Sequence, residues 1–210
     1  MPGHWADQPV WHALALDTPL SLLALLAFWR LTQGPAGRRS ALVAGLSLSA
    51  AHAATVVDGN AIADEKSGAN WLSYGRTYSE QRYSPLTQIN KDNVKNLKVA
   101  WTLHLGGIEG GGIWSHGGLE GTPIVENGMM YVTDGWGSVY KIDTRGGEGK
   151  LIWKMDPKTD REWAGAVACC GVNNRGVALW KDQVISIALD GRMFALQKDS
   201  GQEVWERRIA

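Results

Sequence analysis

The chain has 210 residues, 44% of them hydrophobic and 20% charged, which is ordinary globular composition with enough apolar material for one sizeable core. Basic and acidic side chains number 21 each, and no basic run is longer than two residues, so nothing in the charge pattern attracts nucleic acid. The 26 glycines and 11 tryptophans favour an all-β fold of short strands, tight turns and large aromatic side chains.

The first 54 residues are predicted to be a signal or targeting region outside the fold. The stretch 38–53 contains an arginine pair, then an apolar run, and ends in Ala51-His52-Ala53, which is the pattern of a secretory signal cleaved after Ala53. We therefore expect export, by either the general or the twin-arginine route. The apolar stretch 20–31 keeps two alternatives open: a start site assigned too far upstream, and an N-terminal membrane anchor.

A repeat follows, marked by tryptophans. Trp101, Trp153 and Trp205 are spaced 52 residues apart, and recurrence at such a period indicates a repeat architecture. Hairpin signals such as Asn127-Gly128 and Asp190-Gly191 divide the text between them into short strands. The predicted strands are Thr122 to Glu126, Met129 to Thr133, Val139 to Asp143, Lys150 to Trp153, Val177 to Trp180, Gln183 to Ala188, Met193 to Gln197 and Gln202 to Trp205.

Four short antiparallel strands per period predict the blade of a β-propeller, with each tryptophan packed against a neighbouring blade. Residues 55–100 are then an N-terminal segment leading into the propeller, and residues 101–210 hold its first two to three blades. A β-sandwich with chance tryptophan spacing is the alternative.

The number of blades is too small for a closed ring, which needs at least about four. We expect that the chain requires further blades, as part of a longer protein, a truncated product or an assembly component. An open propeller is also expected to leave a long strand edge with unpaired backbone groups.

Cys169 and Cys170 are adjacent and are the chain's two cysteines. In an exported protein such thiols tend to pair, although the two Cα atoms of neighbouring residues lie only about 3.8 Å apart and a bond between them closes a very small loop. A strained bond that stabilises little is better suited to a rigid, polarizable surface against a ligand. Two reduced or intermolecularly paired thiols are the alternative.

Other polar residues do not form a catalytic pattern. His104 and His116 are isolated and lack metal-ligand spacing, so both are predicted to be solvated or structural. Asp134 and Asp190 each precede a glycine between predicted strands, where the turn propensity of aspartate accounts for them.

Several motifs together resemble one enzyme family. The segment Ala168 to Ala178, which contains the cysteine pair, looks like the vicinal-cysteine signature of the pyrroloquinoline quinone (PQQ)-dependent methanol and ethanol dehydrogenases. The segments Asn70 to Leu86 and Gly118 to Pro123 and the tryptophan motifs are similar to the same family, in the same order. The resemblance covers roughly residues 70–210.

This resemblance implies an eight-bladed propeller with PQQ at its axis, between a Cys169–Cys170 disulfide on one face and a tryptophan beyond residue 210 on the other. Glu120 and Arg175 become cofactor contacts together with Cys169 and Cys170. A guanidinium suits the carboxylates or quinone oxygens of PQQ. Glu120, an anion beside a tricarboxylate, is expected to accept a hydrogen bond from a ring N–H or to be protonated.

The resemblance also implies the reaction, an oxidation of alcohols to aldehydes in the periplasm by hydride transfer to PQQ, with a cytochrome c as electron acceptor. A calcium or lanthanide ion and an aspartate base act in this reaction, and a C-terminal heme c domain is a further possibility. We expect the metal ligands and the base after residue 210, so no catalytic or metal residue is assigned here and the chain alone is expected to be inactive. The alternatives are a non-enzymatic scaffold of the outer-membrane assembly type and an inactive truncated product. The sequence determines neither the alcohol nor the metal.

Overall fold

The computed structural model describes residues 56–107, 109–111 and 113–210. The predicted signal or targeting region, residues 1–54, therefore lies outside the described residues. Those that are described belong to one compact unit, Ala54–Ala210. Within them, no helix combines the length and the apolar character that a membrane crossing requires.

Two four-stranded antiparallel sheets dominate the structure, as the repeat predicts. The first blade has the order β3-β4-β5-β6 and the second the order β7-β8-β9-β10, so that each strand pairs with its neighbour in sequence. A two-stranded hairpin, β1-β2, precedes them. The bounds are β1 Glu109–Gly111, β2 Trp114–His116, β3 Ile124–Glu126, β4 Met129–Thr133, β5 Val139–Asp143, β6 Lys150–Met155, β7 Ala178–Trp180, β8 Gln183–Ile187, β9 Arg192–Gln197 and β10 Glu203–Arg208. The prediction of propeller blades is confirmed, with strand ends that differ by three residues at most.

Glycines at positive φ close the two hairpin turns that the sequence marks. Asn127 and Gly128 lie at φ 52° and 75° between β3 and β4, which is the conformation of a two-residue hairpin turn. Gly191 lies at φ 83° between β8 and β9, and its N–H donates to Ala188 O at 3.1 Å. These turns set the register that puts one face of each strand into the core.

A β-bulge precedes the tryptophan in the last strand of each blade. The pairing of β5 with β6 skips Ile152, and the pairing of β9 with β10 skips Val204. An extra residue in one strand bends it and changes the direction of the next side chain. The bulge at the same place in both repeats therefore helps to explain why Trp153 and Trp205 recur at a fixed position.

Two of the three repeat tryptophans pack onto the following repeat. A Cβ at Gly149 would collide with the ring of Trp101, and one at Gly201 would lie 2.7 Å from the ring of Trp153. Both glycines follow their tryptophan by 48 residues, and Trp153 Nε1–H also donates to Lys198 O at 2.9 Å. The prediction of packing against a neighbouring blade is confirmed for this pair. Trp205 differs, because it donates to Gln183 Oε1 at 3.2 Å within its own blade.

The two blades meet through faces and turns, and within the described residues no strand of one pairs with a strand of the other. A buried ion pair lies at this boundary, where Lys198 Nζ contacts the Glu126 carboxylate at 2.8 Å. Lys141 Nζ donates to Lys198 O at 2.8 Å, and burial lowers the pKa of Lys141. The expected unpaired edge is therefore wrong: each blade is a separate sheet, so a missing neighbour uncovers a face.

The N-terminal segment covers part of the same core. Asp58 caps the short helix α1, Gly59–Ala63, by accepting from Asn60 N and Ala61 N at 2.9 Å. Trp71 and Val125 of β3 exchange backbone hydrogen bonds of 2.8 and 2.9 Å. A 3-10 helix, Val94–Asn96, follows. The core itself consists of Val57, Ile62, Leu72, Ile124, Tyr131, Val139, Leu179, Val184, Ala188, Phe194 and Leu196.

One helix was not predicted. Helix α2, Arg161–Val167, connects the blades and ends two residues before the cysteine pair. Asp160 caps it by accepting from Glu162 N at 3.1 Å and from Trp163 N at 3.0 Å. This aspartate, followed by a glutamate in the first turn, is an N-terminal signal that the sequence does carry.

Candidate cofactor site

Two connecting segments run side by side at the ends of the blades. The residues before β3 and those before β7 form parallel bridges, Gly117 with Val172 and Thr122 with Gly176. Gly118 N donates to Val172 O at 2.8 Å, and Thr122 N donates to Arg175 O at 3.3 Å. This pairing brings Glu120 of one segment beside Arg175 of the other, although they are far apart in sequence.

Glycines allow these segments to approach. A Cβ at Gly117 would lie 3.0 Å from Val172 O, and a Cβ at Gly135 would lie 2.6 Å from the same oxygen. Gly176 adopts φ 114°, which a residue with a side chain rarely adopts. The high glycine content is therefore used here for close backbone contact as well as for turns.

Arg175 and Glu120 form an ion pair at the surface. Arg175 Nη1 lies 3.1 Å from Glu120 Oε2, and the two side chains are 73% and 43% exposed. The structure thus brings together two of the residues that the resemblance identifies. The guanidinium has N–H groups left to donate after this contact, because it carries five.

The two cysteines form a disulfide between neighbours, with Cα atoms 3.8 Å apart, as predicted. Both residues are exposed, and they lie between helix α2 and the segment that carries Arg175. Two side chains hold the ends of this stretch: Trp114 Nε1–H donates to Ala168 O at 3.3 Å, and Asn173 Nδ2 donates to Cys170 O at 3.2 Å. The sulfur atoms are therefore available to a ligand.

Two further residues at this end of the blades were missed by the sequence analysis. Asn174 and Thr133 are joined by a hydrogen bond of 2.9 Å from the Thr133 hydroxyl to Asn174 Oδ1. Thr133 is the last residue of β4 and is buried. The signal available in the sequence is weak, since an asparagine within a turn is common for reasons of backbone conformation alone.

Asp134 and Asp190 occupy turns, as predicted. Asp134 Oδ1 accepts from Trp136 N at 3.1 Å and from Ser138 N at 2.9 Å, and its second oxygen accepts from the Tyr140 hydroxyl at 2.8 Å. Burial, and next the hydrogen bond to Asp134, raise the pKa of Tyr140. Asp190 Oδ1 accepts from Arg192 N at 3.3 Å. Both carboxylates therefore stabilise turns.

The histidines give no metal site. His104 is exposed, as expected for a solvated residue, whereas the side chain of His116 lies outside the described part of the chain. In the described ranges, no three His, Cys, Asp or Glu side chains cluster in a way that could hold a metal ion.

The residues at this site fit a flat anionic group such as PQQ. The exposed Arg175 guanidinium can donate to carboxylate or quinone oxygens, and the exposed disulfide offers a polarizable surface against which a ring can lie. Glu120 orients the guanidinium and keeps an oxygen free to accept from a ring N–H.

Comparison with known proteins agrees with this description. The sequence model of the PQQ family, "glucose/ethanol/alcohol dehydrogenase, beta-propeller domain", matches residues 71–206. The quinohemoprotein alcohol dehydrogenase ADH-IIG of Pseudomonas putida is 46% identical over 164 residues, which cover 78% of this chain and 21% of that protein. The 1-butanol dehydrogenase (cytochrome c) of Thauera butanivorans is 43% identical over 140 residues, which cover 67% of this chain and 19% of that protein.

Solved structures give the same result. The structure of ADHIIG from Pseudomonas putida HK5 matches with a TM-score of 0.66 and 45% identity, over 75% of this chain and 22% of that one. A europium-containing methanol dehydrogenase matches with a TM-score of 0.63 and 32% identity, over 73% of this chain and 25% of that one. The fold, the motif order and these matches all show that the chain belongs to the PQQ-dependent alcohol dehydrogenase β-propeller family.

Proposed function

We propose that this chain is part of a periplasmic PQQ-dependent alcohol dehydrogenase, in which it builds one wall of the PQQ pocket from Glu120, Cys169, Cys170 and Arg175. The observation that carries the proposal is the exposed ion pair of Arg175 with Glu120, 3.1 Å apart, close in the chain to an exposed disulfide between neighbouring cysteines. Neither feature has an evident role in the core, since both the pair and the sulfur-bearing residues face outward.

Each residue has a distinct task in this pocket. Arg175 binds an anionic oxygen of the cofactor and holds it in a fixed direction. The disulfide supports the ring from one side and excludes water there. Glu120 orients Arg175 and accepts a hydrogen bond from a ring N–H. The chemistry that PQQ supplies when bound is acceptance of hydride from the carbinol carbon of an alcohol.

Other groups of the complete protein would supply the remaining functions. We propose that the catalytic base and the ligands of a calcium or lanthanide ion come from further blades, and that a cytochrome c accepts the electrons. The names of two relatives, a quinohemoprotein and a butanol dehydrogenase paired with cytochrome c, support a heme acceptor. Substrate choice would also depend on those blades.

Titration with PQQ tests the pocket directly. In the complete protein, Arg175→Ala is expected to weaken PQQ binding by about 10-fold to 100-fold, because hydrogen bonds to charged groups contribute about 1.5 to 3 kcal/mol. Arg175→Lys should lie between the two, since an ammonium lacks the planar fork. Quenching of tryptophan fluorescence gives the Kd.

Arg145→Ala is the matched control for that titration. Arg145 also forms an ion pair, with Asp143 at 2.7 Å, but at the end of β5 away from the site. Its Kd for PQQ should equal that of the unaltered protein. An unchanged Kd for Arg175→Ala would contradict the proposal, and it would favour a scaffold, which has no need of this cofactor.

Turnover tests the division of labour between the blades. The purified 210-residue chain, incubated with PQQ, calcium or lanthanum and a dye acceptor, is expected to oxidise no alcohol, because the proposed base and metal ligands are supplied by other blades. Clear activity above a control without PQQ would show that the catalytic groups lie within these residues.

A further inference from the structure

We infer that Asn174 is a positioning residue that fixes Arg175 and the disulfide loop to both blades at once. The inference rests on the proposed function, because its ligand is the same PQQ. It concerns a different residue and a different task, since Asn174 acts through its neighbours and is not proposed to touch the cofactor.

Three hydrogen bonds of one side chain carry the inference. Asn174 Oδ1 accepts from the Thr133 hydroxyl at 2.9 Å and from Gly176 N at 2.8 Å, and Asn174 Nδ2 donates to Ile187 O at 2.7 Å. Thr133 ends β4 of the first blade, and Ile187 ends β8 of the second. One side chain thus connects the loop to matching strand ends in two neighbouring sheets.

The chemistry of the partners fixes the orientation of the amide. Gly176 N–H can only donate, so the atom it meets must be the amide oxygen. Ile187 O can only accept, so the atom it meets must be the amide nitrogen. Rotating the amide by 180° would break both bonds, and replacing nitrogen by a carboxylate oxygen would oppose two acceptors at Ile187. Aspartate is therefore no substitute, although its shape is nearly the same.

Arg175 lies between the two residues that this network joins. Asn174 and Gly176 are bridged by the bond from Gly176 N to Asn174 Oδ1, and Arg175 O accepts from Thr122 N at 3.3 Å. The Arg175 side chain itself is 73% exposed, so packing does little to direct it. Its direction depends on the backbone beneath it, and Asn174 constrains that backbone. Sites held within fractions of an ångström need such supporting residues.

The Asn174 substitutions test this role. In the complete protein, Asn174→Ala should weaken PQQ binding about 10-fold by fluorescence titration, and Asn174→Asp should weaken it at least as much. The thermal midpoint of each variant without PQQ is measured alongside, so that a loss of affinity can be separated from a loss of fold.

Thr133 provides a second, independent test. Thr133→Val removes the hydroxyl donor at constant volume and should weaken PQQ binding several-fold, whereas Thr133→Ser retains the hydroxyl and should restore the original Kd. A merely structural role would not distinguish affinity for PQQ in this way, because both variants keep the strand.

Asn70→Ala is the control for a lost asparagine hydrogen bond. Asn70 Oδ1 accepts from Asn127 N at 2.8 Å, at the β3–β4 turn and thus at the opposite end of β4 from Thr133. This variant should lower the thermal midpoint without changing the Kd for PQQ. An Asn174→Ala protein that binds PQQ like the unaltered protein would overturn the inference, and so would an equal loss of affinity in Asn70→Ala.

The outcome also separates this inference from the proposed function. If Arg175→Ala weakens binding and Asn174→Ala does not, the positioning role alone is wrong. If Arg175→Ala leaves the Kd unchanged, the PQQ pocket itself is wrong.

Discussion

The two blades have the same strands, turns and bulges, yet their tryptophans have different partners. Trp153 of the first blade stacks over Gly201 and donates to Lys198 O, both in the turn between β9 and β10. Trp205 of the second blade donates to Gln183 of its own sheet. The repeat therefore encodes the sheet, whereas the partner of each tryptophan belongs to the next repeat.

The faces of the two blades differ as well. Glu126 and Lys141 of the first blade meet Lys198 at the boundary, whereas the residues in the same pairing positions of the second blade are Trp180 and Ala195. Buried charges need matching charges, so these two faces cannot be exchanged. Blades of similar backbone thus carry different boundary chemistry, which favours one order of blades over others.

Substitution of the two tryptophans should give the largest difference between the blades. Trp153→Ala is expected to lower the free energy of unfolding by about 3 to 5 kcal/mol, because it opens a cavity at the blade boundary. Trp205→Ala should cost about 1 to 2 kcal/mol, since it removes contacts within one sheet. Urea denaturation of both proteins measures the difference. Equal losses would show that docking onto the next blade adds nothing.

Removal of the buried cation should have the next largest effect. Lys198→Met leaves the Glu126 carboxylate without its 2.8 Å partner and is expected to cost about 3 kcal/mol. The value lies at the low end for a broken buried pair because Lys141 also attracts Glu126. Arg145→Ala, which removes the cation of a surface pair, is the control and should leave the urea midpoint unchanged within error. A loss as small as in the control would mean that the buried pair does not hold the blades together.

A smaller and pH-dependent effect is expected in the second blade. Burial raises the pKa of Asp190, but its hydrogen bonds and ion pair with Arg192 outweigh burial and bring the pKa below the usual 3.8. The folded state therefore holds this proton less tightly than the unfolded state. The stabilisation is present above about pH 4 and is lost as the pH falls through the folded pKa.

Asp190→Asn should accordingly cost about 1.5 to 2 kcal/mol at pH 7, and the difference from the unaltered protein should shrink as the pH falls below 4. Urea denaturation at pH 7 and at pH 2.5 measures both values. A difference that is the same at the two pH values would show that the charge of Asp190 does not contribute. The turn of the first blade, held by Asp134 and the Tyr140 hydroxyl without an arginine, offers the comparison within the same chain.

Local patterns made most of the blade predictable. Alternation of strands with Asn-Gly and Asp-Gly turns depends on neighbouring residues, so eight strands were located to within three residues. Helix α2 was missed because its signal, Asp160 with Glu162, is short and its 7 residues are too few for a clear hydrophobic period. The bulges before Trp153 and Trp205 were missed because one extra residue leaves no local mark.

The site was predictable only in part, for a physical reason. The adjacency of Cys169 and Cys170 and the motif around Arg175 can be read from one short segment, and their resemblance to a family added Glu120. The hydrogen bonds of Asn174 reach Thr133, 41 residues earlier, and Ile187, 13 residues later. No pattern within a blade specifies contacts of that kind.

By itself, then, the sequence determined the blade repeat, the cysteine pair and the family, because these depend on spacing along the chain. Only the tertiary structure decided that Glu120 pairs with Arg175, that Trp153 and Trp205 have different partners, and that Asn174 connects two sheets. Those contacts arise where separate segments are brought together by packing, and the free energy that selects them exists only once both blades have formed.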